Sequence, residues 1–542
     1  MSQAGTRPDV AHEVADGSQA AGPSANESVS AIVDHSDSRR TPVLIVGAGP
    51  AGLTAALDLA LRGIDVMIIE RSTHASSASR AKGIQPRTLE VLEALGVAHE
   101  VLICGGAFPR WRSYSSGRVA WEKSIYDLLG IGDPVADPAV PFPETWMIPQ
   151  WRTEQILRGA LSRVGVQVEF GSSLAALDVD DAGVTATISG TAGIRRVDAS
   201  YVVAADGAAS TVRKLVGVVF DGVTRDEERY VIADVRTVDL DRRYWHNWAD
   251  PNNPAARVSI CPLPATDTFQ FVAPLLPGEP TPPLTLATVQ RLFDERSDGV
   301  VASFSEAPWI TVDRTNERLA NSFGSGRVFL VGDAAHTVPA AGGQGLNTAV
   351  QDAHNLGWKL ATVLRGGPES LLDTYEEERR PIAVRLMAGL GTVDEHGETP
   401  DIFQLRENYR RSSLTEDFRP IPGTVRAGDR APDAPLQLAG STPSRLFELL
   451  RGADLTCIAF GNHAGDACRA VANRWNPSTA LRVLDVRRDS PATAETIHGI
   501  YDVAEDDQVV VLVRPDGYIG FAANQHIEER LGVYIRRITA QR

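Results

Sequence analysis

A glycine-rich turn between an apolar strand and a helix restricts the fold of this chain more than any other feature. Residues 42–46 predict a buried strand, Gly47-Ala48-Gly49-Pro50-Ala51-Gly52 follows, and apolar residues at helical spacing begin at Leu53. In such a turn the first glycine permits the bend, the second lets a pyrophosphate approach the backbone, and the third lets helix and strand pack closely. A second strand ends at Glu70, where a carboxylate can bind an adenosine ribose. The segment therefore predicts a dinucleotide-binding βαβ unit, and FAD and NAD both remain open.

Two strands much later in the chain also end beside an aspartate. An apolar strand that begins at Tyr201 ends in Asp206-Gly207, and another that begins at Arg327 ends in Gly332-Asp333. In an open α/β sheet the ligand crevice lies at the carboxyl ends of the strands, so these carboxylates can bond ribose or ribityl hydroxyls. The alternative is that each aspartate only caps the helix that follows it. Together with the front βαβ unit, the two motifs favour the cofactor interpretation and one nucleotide-binding domain assembled from separated segments.

Length and composition limit what else the chain can be. Its 542 residues are too many for one compact domain, and 43% hydrophobic with 23% charged residues is typical of globular proteins. No run approaches the roughly 20 apolar residues that span a bilayer, and no secretory signal is visible, so we expect a cytoplasmic protein without a membrane partner. A net charge of -16 argues against nucleic acid as a partner. Four cysteines without metal-ligand spacing predict neither disulfides nor a metal site, which leaves a small molecule as the expected partner.

Shifts in composition divide the chain into parts. Residues 1–40 are small and polar and predict a disordered tail. Residues 41–400 predict a discontinuous nucleotide-binding domain, within which short strands at about 225–320 predict an inserted sheet on the substrate side. A linker at 401–430 precedes another α/β stretch at 431–542. The predicted fold class is α/β, with a Rossmann-type domain, an inserted β-sheet domain and a separate C-terminal domain.

The three strand-end motifs, in this order and spacing, resemble those of the p-hydroxybenzoate hydroxylase family of flavoprotein monooxygenases. The resemblance covers roughly residues 41–400 and is strongest to the phenol-hydroxylase and pentachlorophenol-monooxygenase branch. It implies a single-component enzyme that binds FAD and uses NAD(P)H and dioxygen to hydroxylate a small phenolic or otherwise activated aromatic substrate through a flavin hydroperoxide. A homodimer is also compatible with it. The C-terminal stretch resembles the thioredoxin-like tail of the same branch, but Cys457 and Cys468 do not form a CxxC pair, so we expect a structural or subunit-contact role.

The same resemblance implies a set of cofactor-binding residues. The glycine turn and Glu70 would hold the ADP half of FAD, and Asp333 would hold the ribityl chain. The pair Asp206-Gly207 is similar to a family element that serves both FAD and NAD(P)H. No second glycine fingerprint is visible for the nicotinamide, as in this family. The implied set is Gly47, Gly49, Pro50, Ala51, Gly52, Glu70, Arg71, Arg80, Arg152, Asp206, Gly207, Asp333, Gly345, Leu346 and Asn347.

A helix that begins near Gly345 supports a flavin site on physical grounds. Its apolar residues at helical spacing predict a packed face, and its positive N-terminus would point into the crevice, where it favours the anionic reduced flavin. Pro339, just before it, would wall the ring site or serve only as a rigid loop residue. The catalytic residue is otherwise unassigned.

Three further features have competing interpretations. His336 is expected to be a packed or hydrogen-bonded histidine rather than a general base. Lys82 stands where some phenol hydroxylases carry an acidic residue, which leaves deprotonation of a phenol without an assigned group. The cluster Tyr244, Trp245, His246 and Trp248 lines an aromatic pocket or, as we expect, belongs to the core or to an interface. The alternative functions are another FAD oxidoreductase of the same fold, such as an epoxidase or dehydrogenase, or a flavin-binding protein without turnover.

Overall fold

The computed structural model describes residues 39–191, 193–250, 253–338, 343–389, 401–436, 444–452, 455–474, 481–486, 497–504 and 506–539. The predicted tail lies outside these residues except for its last two positions, and Pro339 also lies outside them.

The described residues form 26 strands, 12 α-helices and two short 3-10 helices at Gly332–Ala334 and Glu369–Leu372. The strands of the first part are β1 (Arg39–Val46), β2 (Val66–Glu70), β3 (Gly83–Ile84), β4 (Gly106–Ala107), β5 (Arg110–Ser115), β6 (Arg118–Lys123), β7 (Trp146–Met147), β8 (Val168–Phe170), β9 (Ser173–Val179), β10 (Val184–Gly190), β11 (Gly193–Ala204) and β12 (Phe220–Arg236). The later strands are β13 (Tyr244–Asp250), β14 (Asn253–Pro262), β15 (Thr268–Pro274), β16 (Glu306–Ala320), β17 (Gly324–Ser325), β18 (Val328–Leu330), β19 (His336–Thr337), β20 (Glu416–Asp417), β21 (Pro435–Leu436), β22 (Ser444–Arg445), β23 (Leu455–Phe460), β24 (Leu481–Val486), β25 (Val509–Val513) and β26 (Ile519–Ala523). The helices are α1 (Pro50–Leu61), α2 (Pro86–Ala94), α3 (Ala98–Cys104), α4 (Ile125–Leu129), α5 (Gln150–Arg163), α6 (Thr211–Leu215), α7 (Leu286–Arg296), α8 (Gln344–Leu364), α9 (Asp373–Ala388), α10 (Leu446–Leu450), α11 (Asn462–Arg474) and α12 (Ile527–Ile538).

The first sheet carries the predicted βαβ unit. Its strands run in the order β17-β18-β11-β1-β2-β8, and β10 pairs with β11 and β9. Strand β1 is parallel to β2 and β11, and β11 is parallel to β18, so Val46, Ala204 and Leu330 stand side by side. The chain leaves the sheet at these three residues into the glycine turn and the two aspartate motifs. The predicted α/β fold class is confirmed, and the strands of this sheet come from separated segments of the chain.

Helices α1 and α8 pack against each other above this sheet and are mostly buried. Gly357 of α8 faces Asp58 of α1 so closely that a Cβ at position 357 would lie 2.1 Å from Asp58 Oδ2. Asp58 accepts two hydrogen bonds from Arg62 and pairs with His354 Nδ1 of α8 at 3.1 Å. Burial acts to raise the pKa of Asp58, but the charges of Arg62 and His354 outweigh it and lower that pKa to about 2. The Asp58–His354 contact therefore joins α8 to α1, and Arg62 holds the Asp58 carboxylate in place for it.

The second sheet has the strand order β19-β16-β12-β15-β14-β13-β5-β6. Its central strands span residues 220–320, but β5 and β6 come from residues 110–123, where the sequence did not predict them. Strand β5 joins through a parallel pairing of residues 110–114 with 244–248. Phe269, Phe271 and Trp248 form its own core with Phe293 of α7.

The third sheet follows the order β20-β26-β25-β23-β24 and is flanked by α11 and α12. A buried ion network joins it to the helices of the first part. Arg514, just after β25, donates to both carboxylate oxygens of Glu378 on α9 at 2.6 and 2.9 Å, and Lys359 Nζ on α8 lies 2.7 Å from the same carboxylate. Among the described residues, no helix is both long and apolar enough to cross a membrane.

Candidate active site

A cavity of about 650 Å³ lies where the carboxyl edge of the first sheet faces the second sheet. Residues after β1, β11 and β18 line one side, and residues of β5, β13 and β16 line the other. The cavity brings together many of the residues that the sequence singled out, namely Gly49, Pro50, Ala51, Arg80, Gly207, Asp333, Gly345 and Leu346. The others do not line it: Gly47, Gly52, Glu70, Arg71, Arg152, Asp206 and Asn347.

The three glycines of the turn have different surroundings. Gly47 has φ +102°, and a Cβ there would lie 2.3 Å from the Ala205 carbonyl oxygen. A Cβ at Gly52 would lie 2.0 Å from the Gly47 carbonyl oxygen. At Gly49 a Cβ would meet no protein atom within 4 Å, because this glycine faces the cavity. Two glycines therefore serve close packing, and the middle one leaves an open backbone surface that fits a phosphate group.

Helix α1 begins directly at this open surface. Gly49 is its N-cap residue, Pro50 occupies the first turn, and no described side chain caps its N-terminal N–H groups. The partial positive charge of a helix N-terminus favours an anion at this place. The glycine turn and the start of α1 therefore fit the pyrophosphate of a dinucleotide.

Glu70 lies at the end of β2 and holds the glycine turn in shape. Its Oε2 accepts a hydrogen bond from Ala48 N at 2.9 Å, and its Oε1 accepts one from Ser72 N at 2.9 Å. Each carboxylate oxygen can accept a second hydrogen bond, so a ribose hydroxyl remains compatible with this arrangement. The neighbouring Arg71 is exposed and does not line the cavity.

The two strand-end aspartates differ in their partners. Asp206 accepts hydrogen bonds from Ser210 Oγ at 2.5 Å, Thr211 N at 2.7 Å and Val212 N at 3.1 Å. It thus satisfies the first two N–H groups of α6, while Ser210, the N-cap residue, accepts from Arg213 N. Its neighbour Gly207, not the carboxylate, lines the cavity. The sequence had given both aspartates the same two alternatives, and the structure separates them.

The Asp333 carboxylate projects into the cavity and accepts no hydrogen bond from the described part of the protein. Desolvation within the crevice raises the pKa of Asp333, and the negative charge of Asp313 raises it further. The positive charges of His336 and Arg80 act to lower this pKa but do not outweigh the desolvation. The loop that carries Asp333 is fixed from behind, because Asp352 of α8 accepts hydrogen bonds from Gly332 N and pairs with His336 Nε2 at 2.6 Å. An unpartnered acceptor on a fixed loop is suited to ligand hydroxyl groups.

The N-terminus of α8 forms the next part of the cavity wall. Gly343 has φ +64° at the N-cap, and Gly345 and Leu346 line the cavity. Asn347 is buried, and its side chain accepts from Gln85 N at 2.8 Å and donates to the Gly83 carbonyl at 2.9 Å. Asn347 therefore ties the helix to the segment 83–85 rather than facing the cavity.

Arg152 and His336 also lie outside the cavity wall. Arg152 donates to Gln155 Oε1 at 2.9 Å and stacks over the Trp151 ring at 4.5 Å. His336 is buried against Asp352, in agreement with the packed histidine that the sequence favours. Asp352, which holds both the His336 ring and Gly332, was missed, since one aspartate within a helical pattern carries no spacing signal.

An aromatic wall forms the side of the cavity opposite the strand ends. Phe108, Trp111 and Trp245 line it, with centroid distances to the Trp245 ring of 6.1 Å from Phe108 and 4.3 Å from Trp111. Of the aromatic residues at 244–248, Trp245 belongs to this wall, whereas His246 and Trp248 are buried in the second sheet. The sequence missed Phe108 and Trp111, because the pairing of β5 with β13 that brings them here leaves no local pattern.

A second crevice of about 450 Å³ lies between Arg385, described residues at 401–410, and residues 425–430. Its arginines pair with carboxylates, including Arg385 with Glu407 and Arg430 with Glu90. It shares no lining residue with the cavity at the strand ends. Because its charges neutralise each other, it offers no comparable binding chemistry.

Comparisons with known proteins bear on the same cavity. Residues 40–389 match the FAD binding domain family, and residues 424–541 match the family described as aromatic-ring hydroxylase, C-terminal. A flavin-dependent monooxygenase of Mycobacteroides abscessus is 41% identical over 88% of this chain and 96% of its own length. Pentachlorophenol 4-monooxygenase of Sphingobium chlorophenolicum is 31% identical over 88% of this chain and 93% of its length. The crystal structure of the flavin-dependent monooxygenase PieE in complex with FAD and substrate superposes with a TM-score of 0.78 at 26% identity, over 92% of this chain and 99% of that one.

Proposed function

The chain belongs to the FAD-dependent aromatic-ring hydroxylases, and from this we propose that NAD(P)H supplies its electrons and that its substrate is a phenol or a similarly activated ring. It is a flavin-dependent monooxygenase, which confirms the function and the FAD cofactor that the sequence predicted. One observation carries the proposal: a single cavity has a dinucleotide-type cradle on one side and an aromatic wall on the other.

The cofactor-binding residues divide into those that would touch FAD and those that act through a neighbour. We assign the pyrophosphate to Gly49 and the first turn of α1, and the ribityl hydroxyls to Asp333, because these groups are open to the cavity. Glu70 shapes the glycine turn, and Asn347 fixes the start of α8. When bound, FAD supplies electron transfer and the reaction with dioxygen, while these residues hold and orient it.

The nicotinamide is proposed to enter the same cavity rather than a domain of its own. The sequence contains one glycine fingerprint that joins a strand to a helix, and FAD uses it. The cavity wall also includes the exposed guanidinium groups of Arg80 and Arg314, which can attract the phosphates of a dinucleotide.

The C-terminal part is proposed to be a structural domain. Arg514 inserts a buried guanidinium between Glu378 and Asp516, and Asp516 accepts hydrogen bonds from Asn355 and Trp358 of α8. Breaking a buried pair of this kind is strongly destabilising. The domain therefore supports the helix whose N-terminus lines the cavity, without supplying a reacting group.

Reductant consumption and product mass together test the function. The purified protein is loaded with FAD and given NADH or NADPH with a panel of phenols, and product masses are measured beside the rate of reductant oxidation. We expect a phenol-stimulated rate and a product that gains one oxygen atom. Reductant consumption without any oxygenated product, for every ring tested, would contradict the proposed hydroxylation.

A further inference from the structure

Lys82 is a half-buried cation in the wall of the cavity, on the side of the aromatic residues. Its Nζ lies 4.4 Å from the centroid of the Trp245 ring and donates a hydrogen bond to Gln270 Oε1. No carboxylate of the described residues lies within ion-pair distance of this Nζ. An ammonium has three donors, so the lysine has hydrogen-bonding capacity left for a ligand.

The neighbours of Lys82 hold it in place and leave its ammonium without a direct carboxylate partner among the described residues. Gln270 is fixed because its Nε2 donates to the Ser79 carbonyl, while Ser79 Oγ donates to Asp234. Burial raises the pKa of Asp234 to about 6, although its hydrogen bond from Ser79 and the charge of Lys82 both act to lower that pKa. The charge of Asp234 acts on Lys82 in turn, without a direct hydrogen bond between the two groups. Burial also raises the pKa of the nearby Cys261 thiol to about 12, so this group carries no charge at neutral pH.

Five charged groups line the cavity, three of them cationic and two anionic. Besides Lys82 they are Arg80, Asp313, Arg314 and Asp333. Arg314 pairs with Asp226 at 2.5 Å, and Asp333 lies at the strand ends with Arg80. Desolvation lowers the pKa of Lys82, because its ammonium has lost part of its hydration. An anion bound in the cavity would compensate for the lost hydration and stabilise the charged form.

We propose that Lys82 receives the ionised ring oxygen of the substrate and thereby selects aromatic rings that carry an acidic hydroxyl. This inference rests on the proposed function and names the substrate feature that its cavity recognises. The ring lies against the wall formed by Phe108, Trp111 and Trp245, and its oxygen accepts a hydrogen bond from Lys82 Nζ. The same ammonium–phenolate ion pair forms in two ways. A phenolate binds the charged lysine, or a phenol transfers its proton to the neutral amine. An ionised oxygen donates electron density to the ring, which is the activation that an electrophilic hydroxylation needs.

Ligand binding to the oxidised FAD-loaded enzyme tests this role without any turnover. The probe is 4-nitrophenol, whose phenolate has its own visible absorbance, and the matched neutral probe is 4-nitroanisole. In the wild-type protein the bound phenol should ionise at a lower pH than the free phenol, and the phenolate should bind more tightly than the anisole. Equal affinities for the two probes, or no binding of the phenolate, would overturn the proposal.

Substitution of the lysine gives the second arm of the test. Lys82→Met should weaken phenolate binding by about tenfold to a hundredfold, the range for a lost hydrogen bond to a charged group, and leave anisole binding unchanged. Lys82→Arg should retain most of the preference for the anion. The matched control is Lys123→Met, because Lys123 also lies over a tryptophan ring, 5.6 Å from the centroid of Trp121, but is exposed and outside the cavity.

The results separate this inference from the proposed function. Two results with Lys82→Met would overturn the role of Lys82, even if the enzyme hydroxylates phenols. One is wild-type affinity for the phenolate. The other is weaker FAD binding together with an unchanged preference for phenolate over anisole. Conversely, absence of an oxygenated product would remove the proposed reaction while the binding data still report on Lys82. The wild-type pH titration needs no variant, so it remains decisive if Lys82→Met does not fold.

Discussion

Alanine substitution of the two strand-end aspartates distinguishes a cofactor ligand from a helix cap. Asp333 projects into the cavity without a donor among the described protein groups, whereas Asp206 accepts three hydrogen bonds at the start of α6. A hydrogen bond to a charged acceptor typically contributes about 1.5 to 3 kcal/mol. Asp333→Ala should therefore weaken FAD binding roughly tenfold to a hundredfold, since each 1.4 kcal/mol is about a factor of ten.

The stability of the apoprotein should change in different ways in the two variants. The folded-state pKa of Asp333 is raised above its usual 3.8, so ionisation of this carboxyl costs stability as the pH rises through 3.8 and the raised pKa. Asp333→Ala removes that cost and should leave the apoprotein melting temperature equal or higher at neutral pH. Asp206→Ala removes acceptors for the first N–H groups of α6, worth about 1 kcal/mol, and should lower the melting temperature by about 1 °C.

The assay is a fluorescence titration of FAD into each apoprotein, with a melting curve recorded for the same sample. Asp206→Ala is the matched comparison, because the same substitution is made at the same edge of the sheet. Unchanged FAD affinity in Asp333→Ala, together with a lower apoprotein melting temperature, would refute the ligand role and make Asp333 a structural residue.

Three other substitutions test the assignment of the cradle and of the helix pair. Glu70→Ala should raise the dissociation constant of FAD, measured by titration, while kcat at saturating FAD stays near the wild-type value; unchanged affinity would remove Glu70 from the site. Gly49→Ala should lose FAD affinity without loss of apoprotein stability, whereas Gly52→Ala should lower both, because its Cβ would collide with the Gly47 carbonyl; equal melting temperatures would contradict this difference. Asp58→Asn should destabilise the protein at neutral pH, because the Asp58 pKa of about 2 gives a stability contribution that is complete above pH 3.8 and is lost as the pH falls through 2. The free energies of unfolding of wild type and variant, measured in urea, should therefore differ less at pH 3 than at pH 6. An equal difference at both pH values would argue against the ion pairs.

The first sheet could be predicted because its signals are local. Each of the three motifs combines an apolar strand with a turn residue that has a specific task, and such combinations are visible within ten residues of sequence. The structure aligns their last strand residues, Val46, Ala204 and Leu330, as the parallel arrangement requires. The N-terminus of α8 at Gly345 was predictable for the same reason, from apolar spacing that begins just after a run of glycines.

The aspartate motifs show where local patterns stop being informative. Asp206 and Asp333 both follow a buried strand and a short turn, and the sequence gave each of them the same two alternatives. The difference arises after the turn. Helix α6 follows Asp206 directly, and its first N–H groups donate to the Asp206 carboxylate. At the other motif the Gly332 N–H donates to Asp352 of α8 and not to Asp333. Asp352 belongs to a helix that is distant from this turn in sequence. Tertiary packing therefore decides that the Asp333 carboxylate faces the cavity without a protein donor among the described residues.

The substrate side of the cavity depends even more on distant pairings. Strand β5 reaches the second sheet through a parallel pairing with β13, and only this pairing sets Trp111 beside Trp245. Lys82 gains its position from Gln270 on β15, which is far away in sequence. The sequence has Lys82 where some phenol hydroxylases carry an acidic residue. This difference indicates that the substrate is activated in another way here, and the sequence alone does not identify that way. The three-dimensional position of Lys82 turns that difference into a specific expectation, because a cation against an aromatic wall favours the ionised form of the ring that it binds.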